Sequence, residues 1–119
     1  MPPSPLDRSA LFQTVDGDVD FLKTLVQTFL DDCPAYLAAL QAAADNGDAE
    51  ALVQEAHGLK GALGLLHAAP AHQAARRLEE MGRNNALEDV PDALDDLRRE
   101  LNRLRPALRE MVEEQAEEG

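Results

Sequence analysis

The sequence predicts an all-α protein, an antiparallel four-helix bundle with one or two short additional helices. Apolar residues recur at spacings of three and four along most of the chain, and no segment shows the strict alternation of a strand. Aromatic residues make up 3% of the 119 residues while Ala and Leu are plentiful, so the core must be aliphatic. A chain of this length is enough for a single domain.

The chain divides into a lead-in, a domain and a tail. Residues 1–6 contain three prolines and should be frayed, and the domain should span residues 7–112. Its first element should be a short helix over Asp7 to Val15. The acidic residues 113–119 should form a frayed tail, because Pro106 removes a backbone donor and should kink or end the last helix.

Two helices are predicted between the first turn and residue 47. Asp18 suits the N-cap of the first of them, which should stop near Asp32. Pro34 should then begin a second helix, since proline fits a first helical turn, and Asn46-Gly47 should end it.

Three helices are predicted in the second half. Asp48 should cap a helix that runs to about His67, and Pro70 should open another that ends between Gly82 and Asn85. The last helix carries an apolar seam with heptad spacing: Val90, Leu94, Leu97, Leu101, Leu104, Leu108 and Met111. The seam could join two copies of the chain, but the other helices also have apolar faces to bury, so we expect a monomer.

Charge and composition exclude several classes of function. The formal charge is −12, so the basic face that nucleic-acid binding needs is missing. No apolar run reaches the ~20 residues of a membrane span, and the start does not resemble a signal peptide. The one cysteine, Cys33, suits a buried apolar position and a reducing compartment, so we expect a cytoplasmic protein.

His57 is the residue that most strongly suggests chemistry. Its position lies roughly 140° from the centre of the apolar face of its helix, so it should point to solvent. Lys60 follows one turn later, and Gly61 and Gly64 lie on the same side. Each glycine costs about 1 kcal/mol in a helix interior. An ordinary surface histidine beside glycines that permit helix packing is the alternative.

An exposed imidazole can carry a phosphoryl group, because its neutral and nucleophilic form is well populated near pH 7. Lys60 would then place positive charge beside the phosphoryl oxygens, and Gly61 would leave room for the acceptor protein. The chain has no P-loop and no kinase nucleotide motif, so we expect no ATP site, no cofactor and no turnover of a small molecule.

The segment at residues 56–62, AHGLKGA, resembles the His-x-x-Lys-Gly core of the histidine-containing phosphotransfer (HPt) domain family. The resemblance extends from about Asp7 to Leu108 and includes FLDDCP at residues 29–34, NGD at residues 46–48 and LEEM at residues 78–81. It implies a small four-helix bundle that relays a phosphoryl group between receiver-domain aspartates of a two-component system. The implied partners are a response-regulator receiver domain and a hybrid histidine kinase.

The resemblance also implies roles for individual residues. His57 would be the phosphorylated residue, Lys60 the cation beside the phosphate, and Gly61 the small residue that admits the receiver. Glu79 lies where the family often has Gln or Glu near the histidine. Two further residues, Gly64 and Val53, are expected to contact the partner.

His67 departs from the family pattern, which usually has glycine ten residues after the active histidine. Gly64 could supply the missing flexibility, or His67 could contribute to the choice of partner. His67 and His72 do not form a metal site, because a five-residue spacing places them about 140° apart even on one helix.

Other interpretations stay open at this point. Arg76, Arg77 and Arg83 should either balance local carboxylates or contact an acidic partner. As a whole, the protein could be an adaptor that docks a receiver or kinase without accepting phosphate. It could also be a scaffold that associates through the Val90 to Met111 seam.

Overall fold

The computed structural model describes residues 3–118, which form five helices and no strand. The helices are α1 (Arg8–Thr14), α2 (Val19–Asp45), α3 (Ala49–Leu65), α4 (Ala69–Arg83) and α5 (Val90–Glu118). The predicted all-α class is therefore confirmed.

Helices α2 to α5 form the bundle. Helix α2 packs against α3 and α5, and α4 also packs against α3 and α5, so each of the four helices touches two neighbours. Short connections join successive helices, which makes neighbours antiparallel. The core between them is aliphatic, and Cys33 is buried in it as expected. Every residue of the predicted seam on α5 is buried inside the molecule.

Side-chain caps begin three of the helices. The side chains of Asp7, Asp18 and Asp48 accept hydrogen bonds from the backbone N–H three residues later, which satisfies donors that the first turn leaves without partners. Helix α4 instead starts with Pro70 in its first turn, where a missing N–H costs nothing. The predicted starts at Asp18, Asp48 and Pro70 are thus confirmed.

The predicted break at Pro34 is wrong, because α2 runs through it without interruption. Proline in a helix interior costs about 3 kcal/mol, since it removes a hydrogen bond and crowds the preceding turn. Pro34 lies on the exposed side of α2, so its ring stays outside the core. The buried face continues across it from Cys33 to Leu40, and this packing offsets the cost.

The same reasoning applies to Pro106 and the residues after it. Helix α5 does not end at Pro106, which is exposed, but continues to Glu118. Leu108 and Met111 lie beyond the proline and are buried, each contributing about 1.5–3 kcal/mol. The tail expected to be frayed is therefore helical over residues 113–118, and Gly119 lies outside the described residues.

Helix α1 lies across one end of the bundle. Leu11 and Val15 are buried, and so is Leu6, which the sequence placed in a frayed lead-in; residues 1 and 2 lie outside the described part. Arg8 forms ion pairs with Glu110 and Glu114 of α5. The start of the described chain is thus held by buried apolar side chains and by ion pairs to α5.

Among residues 3–118, no helix is both long and apolar enough to cross a membrane.

Candidate functional site

His57 lies on the exposed face of α3, as predicted. Leu52, Ala56, Leu59 and Leu63 of the same helix are buried in the core, and they turn the opposite face toward solvent. The side chain of His57 is 64% exposed. Lys60, one turn further along, is half-buried against α4.

Glu79 of α4 is the residue that faces His57. Its side chain is 2% exposed, and it is the one charged residue among the buried ones that the structure describes. Gly82, one turn later, explains how α4 comes so close to α3. A Cβ atom at Gly82 would lie 2.7 Å from Cγ2 of Val53 and 3.0 Å from the carbonyl oxygen of Ala49, so only glycine fits without a shift.

Three basic groups converge on the Glu79 carboxylate. Nδ1 of His57 lies 2.6 Å from Oε2, and Nζ of Lys60 donates to Oε1 at 2.6 Å. Nη2 of Arg83 donates to Oε2 at 3.1 Å. We call these four residues, His57, Lys60, Glu79 and Arg83, the His57 cluster. It joins two helices through one buried carboxylate.

The pKa of Glu79 is lowered from its ordinary value. The hydrogen bond from Lys60 is the largest cause, burial opposes it, and His57 and Arg83 lower the pKa further. Glu79 is therefore ionised at neutral pH, and an ionised carboxylate can only accept hydrogen bonds. It follows that Nδ1 of His57 carries the proton and donates it to Oε2, which leaves the lone pair on Nε2.

The surface beside His57 is bare at Gly61. A Cβ atom at Gly61 would meet no other atom within 4 Å, so this glycine borders open space. At Gly64 the same atom would lie 3.5 Å from the His72 ring, and at Gly58 it would lie 3.5 Å from the Tyr36 ring, both ordinary contacts. Of the three glycines in α3, Gly61 thus leaves the most room for an approaching protein.

His67 ends α3 in a left-handed conformation, with φ +57°. Its N–H donates to the carbonyl oxygen of Gly64, and the N–H of Ala68 donates to that of Leu63, which together form a Schellman motif. The usual glycine of the family suits this conformation. The idea that Gly64 supplies the flexibility is wrong, because Gly64 lies within α3 and the left-handed residue is His67 itself.

Side-chain and backbone contacts hold His67 in place. Nε2 of its ring lies 2.7 Å from Oγ1 of Thr14, and its carbonyl oxygen accepts a hydrogen bond from the N–H of Asp7. His67 thus ties the end of α3 to α1. Over residues 3–118 no group of three or more His, Cys, Asp or Glu side chains is arranged to hold a metal ion.

The sequence left open what the three arginines of α4 do. Arg76 pairs with Glu80, Arg77 with Asp96, and Arg83 with Glu79. All three therefore balance carboxylates of this chain, but Arg83 does so inside the His57 cluster. The spacing of four residues between Glu79 and Arg83 is the signal that could have shown this contact.

Not every predicted site residue belongs to the cluster. His57, Lys60 and Glu79 meet, and Gly61 borders them. Val53 is half-buried beside Gly82, at the contact between α3 and α4.

Comparison with known proteins identifies the class. The family model described as Hpt domain matches residues 24–116. The chain therefore belongs to the Hpt domain family, and it is a histidine phosphotransfer protein by fold and by family.

One solved structure is closely similar. It is the crystal structure of histidine-containing phosphotransfer protein B (HptB) from Pseudomonas aeruginosa PAO1, with a TM-score of 0.87 and 27% sequence identity. The match covers 95% of this chain and 98% of that chain. No curated protein sequence matched this chain.

Proposed function

We propose that this protein is a phosphorelay intermediate that carries a phosphoryl group on Nε2 of His57 and exchanges it reversibly with receiver-domain aspartates. The observation that carries the proposal is the contact between Nδ1 of His57 and the buried Glu79 carboxylate. This contact fixes the proton on Nδ1 and so directs the nucleophilic lone pair of Nε2 outward.

The transfer step needs no protein base, because the attacking nitrogen carries no proton. The Nε2 lone pair attacks the phosphorus of an aspartyl phosphate, the N–P bond forms, and the O–P bond to the aspartate breaks with its electron pair on the carboxylate. The ring then carries a positive charge that Glu79 faces. Lys60, which binds the same carboxylate as His57, supplies a cation close to the phosphoryl oxygens.

Access for the partner is provided at Gly61. In-line transfer requires the phosphorus of the receiver's aspartyl phosphate to come within about 3–3.5 Å of Nε2, so the two proteins must touch closely around His57. The open space beside Gly61 permits this approach. Gly64, Val53 and His67 are proposed to lie at the edge of the same contact. A response-regulator receiver domain and a hybrid histidine kinase are the proposed partners, in the cytoplasm.

The test is phosphoryl transfer from receiver domains that acetyl phosphate has charged. Wild type should acquire an acid-labile and base-stable label, and His57→Gln should acquire none while its helicity and thermal midpoint stay close to those of wild type, since His57 is exposed. His72→Gln is the matched control, because it removes another histidine of the chain and should leave the label unchanged.

An unlabelled wild type that still binds a receiver would contradict the proposal and favour an adaptor that docks without accepting phosphate. A label that survives in His57→Gln would place the phosphoryl group elsewhere.

A further inference from the structure

We propose that Glu79 keeps the proton on Nδ1 of His57 while Nε2 carries the phosphoryl group, and that it thereby keeps the phosphohistidine ready to react. This proposal rests on the proposed function and adds a role for the carboxylate in the phosphorylated state. Glu79 acts as a positioning residue, because it contacts the ring nitrogen that does not react.

The chemistry of the ring explains why the proton matters. When the N–P bond breaks, its electron pair stays on Nε2. If Nδ1 carries a proton, the ring leaves as neutral imidazole and the phosphoryl group passes to a carboxylate oxygen or to water. If Nδ1 has lost its proton, the ring must leave as imidazolate, which is a far stronger base and a poor leaving group. A phosphohistidine deprotonated at Nδ1 is therefore long-lived.

The geometry around Nδ1 favours the protonated ring. Oε2 of Glu79 lies 2.6 Å from Nδ1, a distance typical of a charge-assisted hydrogen bond. A carboxylate has no hydrogen to donate, so a deprotonated Nδ1 would point its lone pair at an oxygen lone pair. An amide at this position could donate to the deprotonated ring instead. Glutamate thus disfavours the unreactive form, whereas glutamine would tolerate it.

Glu79 is held in place for this role. Its side chain is buried, and Lys60 and Arg83 bind it from two directions, so it cannot turn away from His57 without losing both contacts. The positive charges of Lys60 and Arg83 disfavour a positively charged ring. Both cations, however, bind the same carboxylate that the ring faces. From α2, the Tyr36 ring lies beside Gly58. Among the described residues, Glu79 is the carboxylate that contacts His57.

Phosphoramidate, which phosphorylates exposed imidazoles without any partner protein, provides the test. Wild type, Glu79→Gln and Glu80→Gln are labelled at the histidine ring nitrogens, phosphorylated, and followed by NMR from about pH 6 to about pH 10. Glu80→Gln is the matched control, because it removes the adjacent carboxylate, which pairs with Arg76 and not with His57.

In wild type the phosphohistidine at residue 57 should stay labile to higher pH than in Glu79→Gln. Glu79→Gln exchanges a charge-assisted hydrogen bond to Nδ1 for a neutral one, so at alkaline pH the variant should lose its phosphoryl group about tenfold more slowly. Glu80→Gln should match wild type. Equal lifetimes in wild type and folded Glu79→Gln would overturn the proposal, and so would failure of His57 to accept the phosphoryl group.

A second measurement covers the case in which Glu79→Gln does not fold. In phosphorylated wild type, Nδ1 of His57 should retain its proton to higher pH than Nδ1 of phosphorylated His72, and equal behaviour would overturn the proposal. Since neither measurement uses a receiver domain, a protein that passes both but transfers nothing to receivers would contradict the proposed function alone.

Discussion

His67 shows at the residue scale how a side chain can replace glycine in a left-handed conformation. This conformation costs a residue with a Cβ atom about 1–2 kcal/mol. The hydrogen bond between the His67 ring and Thr14 contributes about 0.5–1.5 kcal/mol to stability, so it nearly cancels the cost of the left-handed conformation. His67 is therefore compatible with an intact end of α3, and the family's usual glycine is not required there.

Two substitutions separate the contributions at this position. His67→Ala loses the hydrogen bond to Thr14 and keeps the strain, whereas His67→Gly loses the bond and the strain together. We expect His67→Gly to be more stable than His67→Ala by about 1 kcal/mol, measured by urea unfolding. An alanine variant as stable as the glycine variant would show that the conformation at residue 67 carries no strain.

At the same scale, the sequence predicted part of the His57 cluster. Helical periodicity is enough to place His57 and Lys60 on one exposed face, because both lie on α3. Glu79 was placed near the histidine by family resemblance, but its burial and its three contacts depend on how α4 is shifted and rotated against α3. Local sequence does not specify that relation, so Arg83 was left outside the site.

At the scale of elements, two glycines have opposite roles, because Gly61 of α3 borders open space and Gly82 of α4 lies in the contact with α3. Gly61→Ala should stabilise the protein by about 1 kcal/mol, because it adds helix propensity in open space. Gly82→Ala should destabilise it by about 1–3 kcal/mol, because its methyl group would press on Val53 and on the backbone at Ala49. Thermal or urea unfolding measures both changes.

Transfer assays extend this comparison to function. Gly61→Gln should keep a stable fold but slow transfer, because its side chain fills the space that the receiver needs. Gly82→Ala should slow transfer by moving Glu79 away from His57. Normal rates in Gly61→Gln would contradict the access argument, and a stability unchanged in Gly82→Ala would contradict the close packing.

Pro34 and Pro106 show a limit to predicting helix ends from local sequence. Periodicity and caps placed the starts of α2, α3 and α4 correctly, since these signals act within one turn. Pro34 and Pro106 are local signals for a break, but both face solvent while buried residues lie on either side of them. Tertiary packing decides whether a helix continues through such a proline, and the residues next to the proline do not specify that packing.

On the scale of the whole molecule, the seam of α5 is buried against the rest of the bundle. No uninterrupted apolar seam therefore remains on the described surface to join two copies, and the formal charge of −12 adds repulsion between them. We expect a monomer whose sedimentation coefficient does not change with protein concentration. A mass that rises with concentration to that of a dimer would favour self-association.

The central claim, that Nε2 of His57 carries the phosphoryl group, is tested most directly by NMR of the protein after transfer from a charged receiver domain. With the histidine ring nitrogens isotopically labelled, the account predicts phosphorus coupled to Nε2 of residue 57 and a proton on its Nδ1. Phosphorus on Nδ1 of His57, or on His67 or His72, would contradict it.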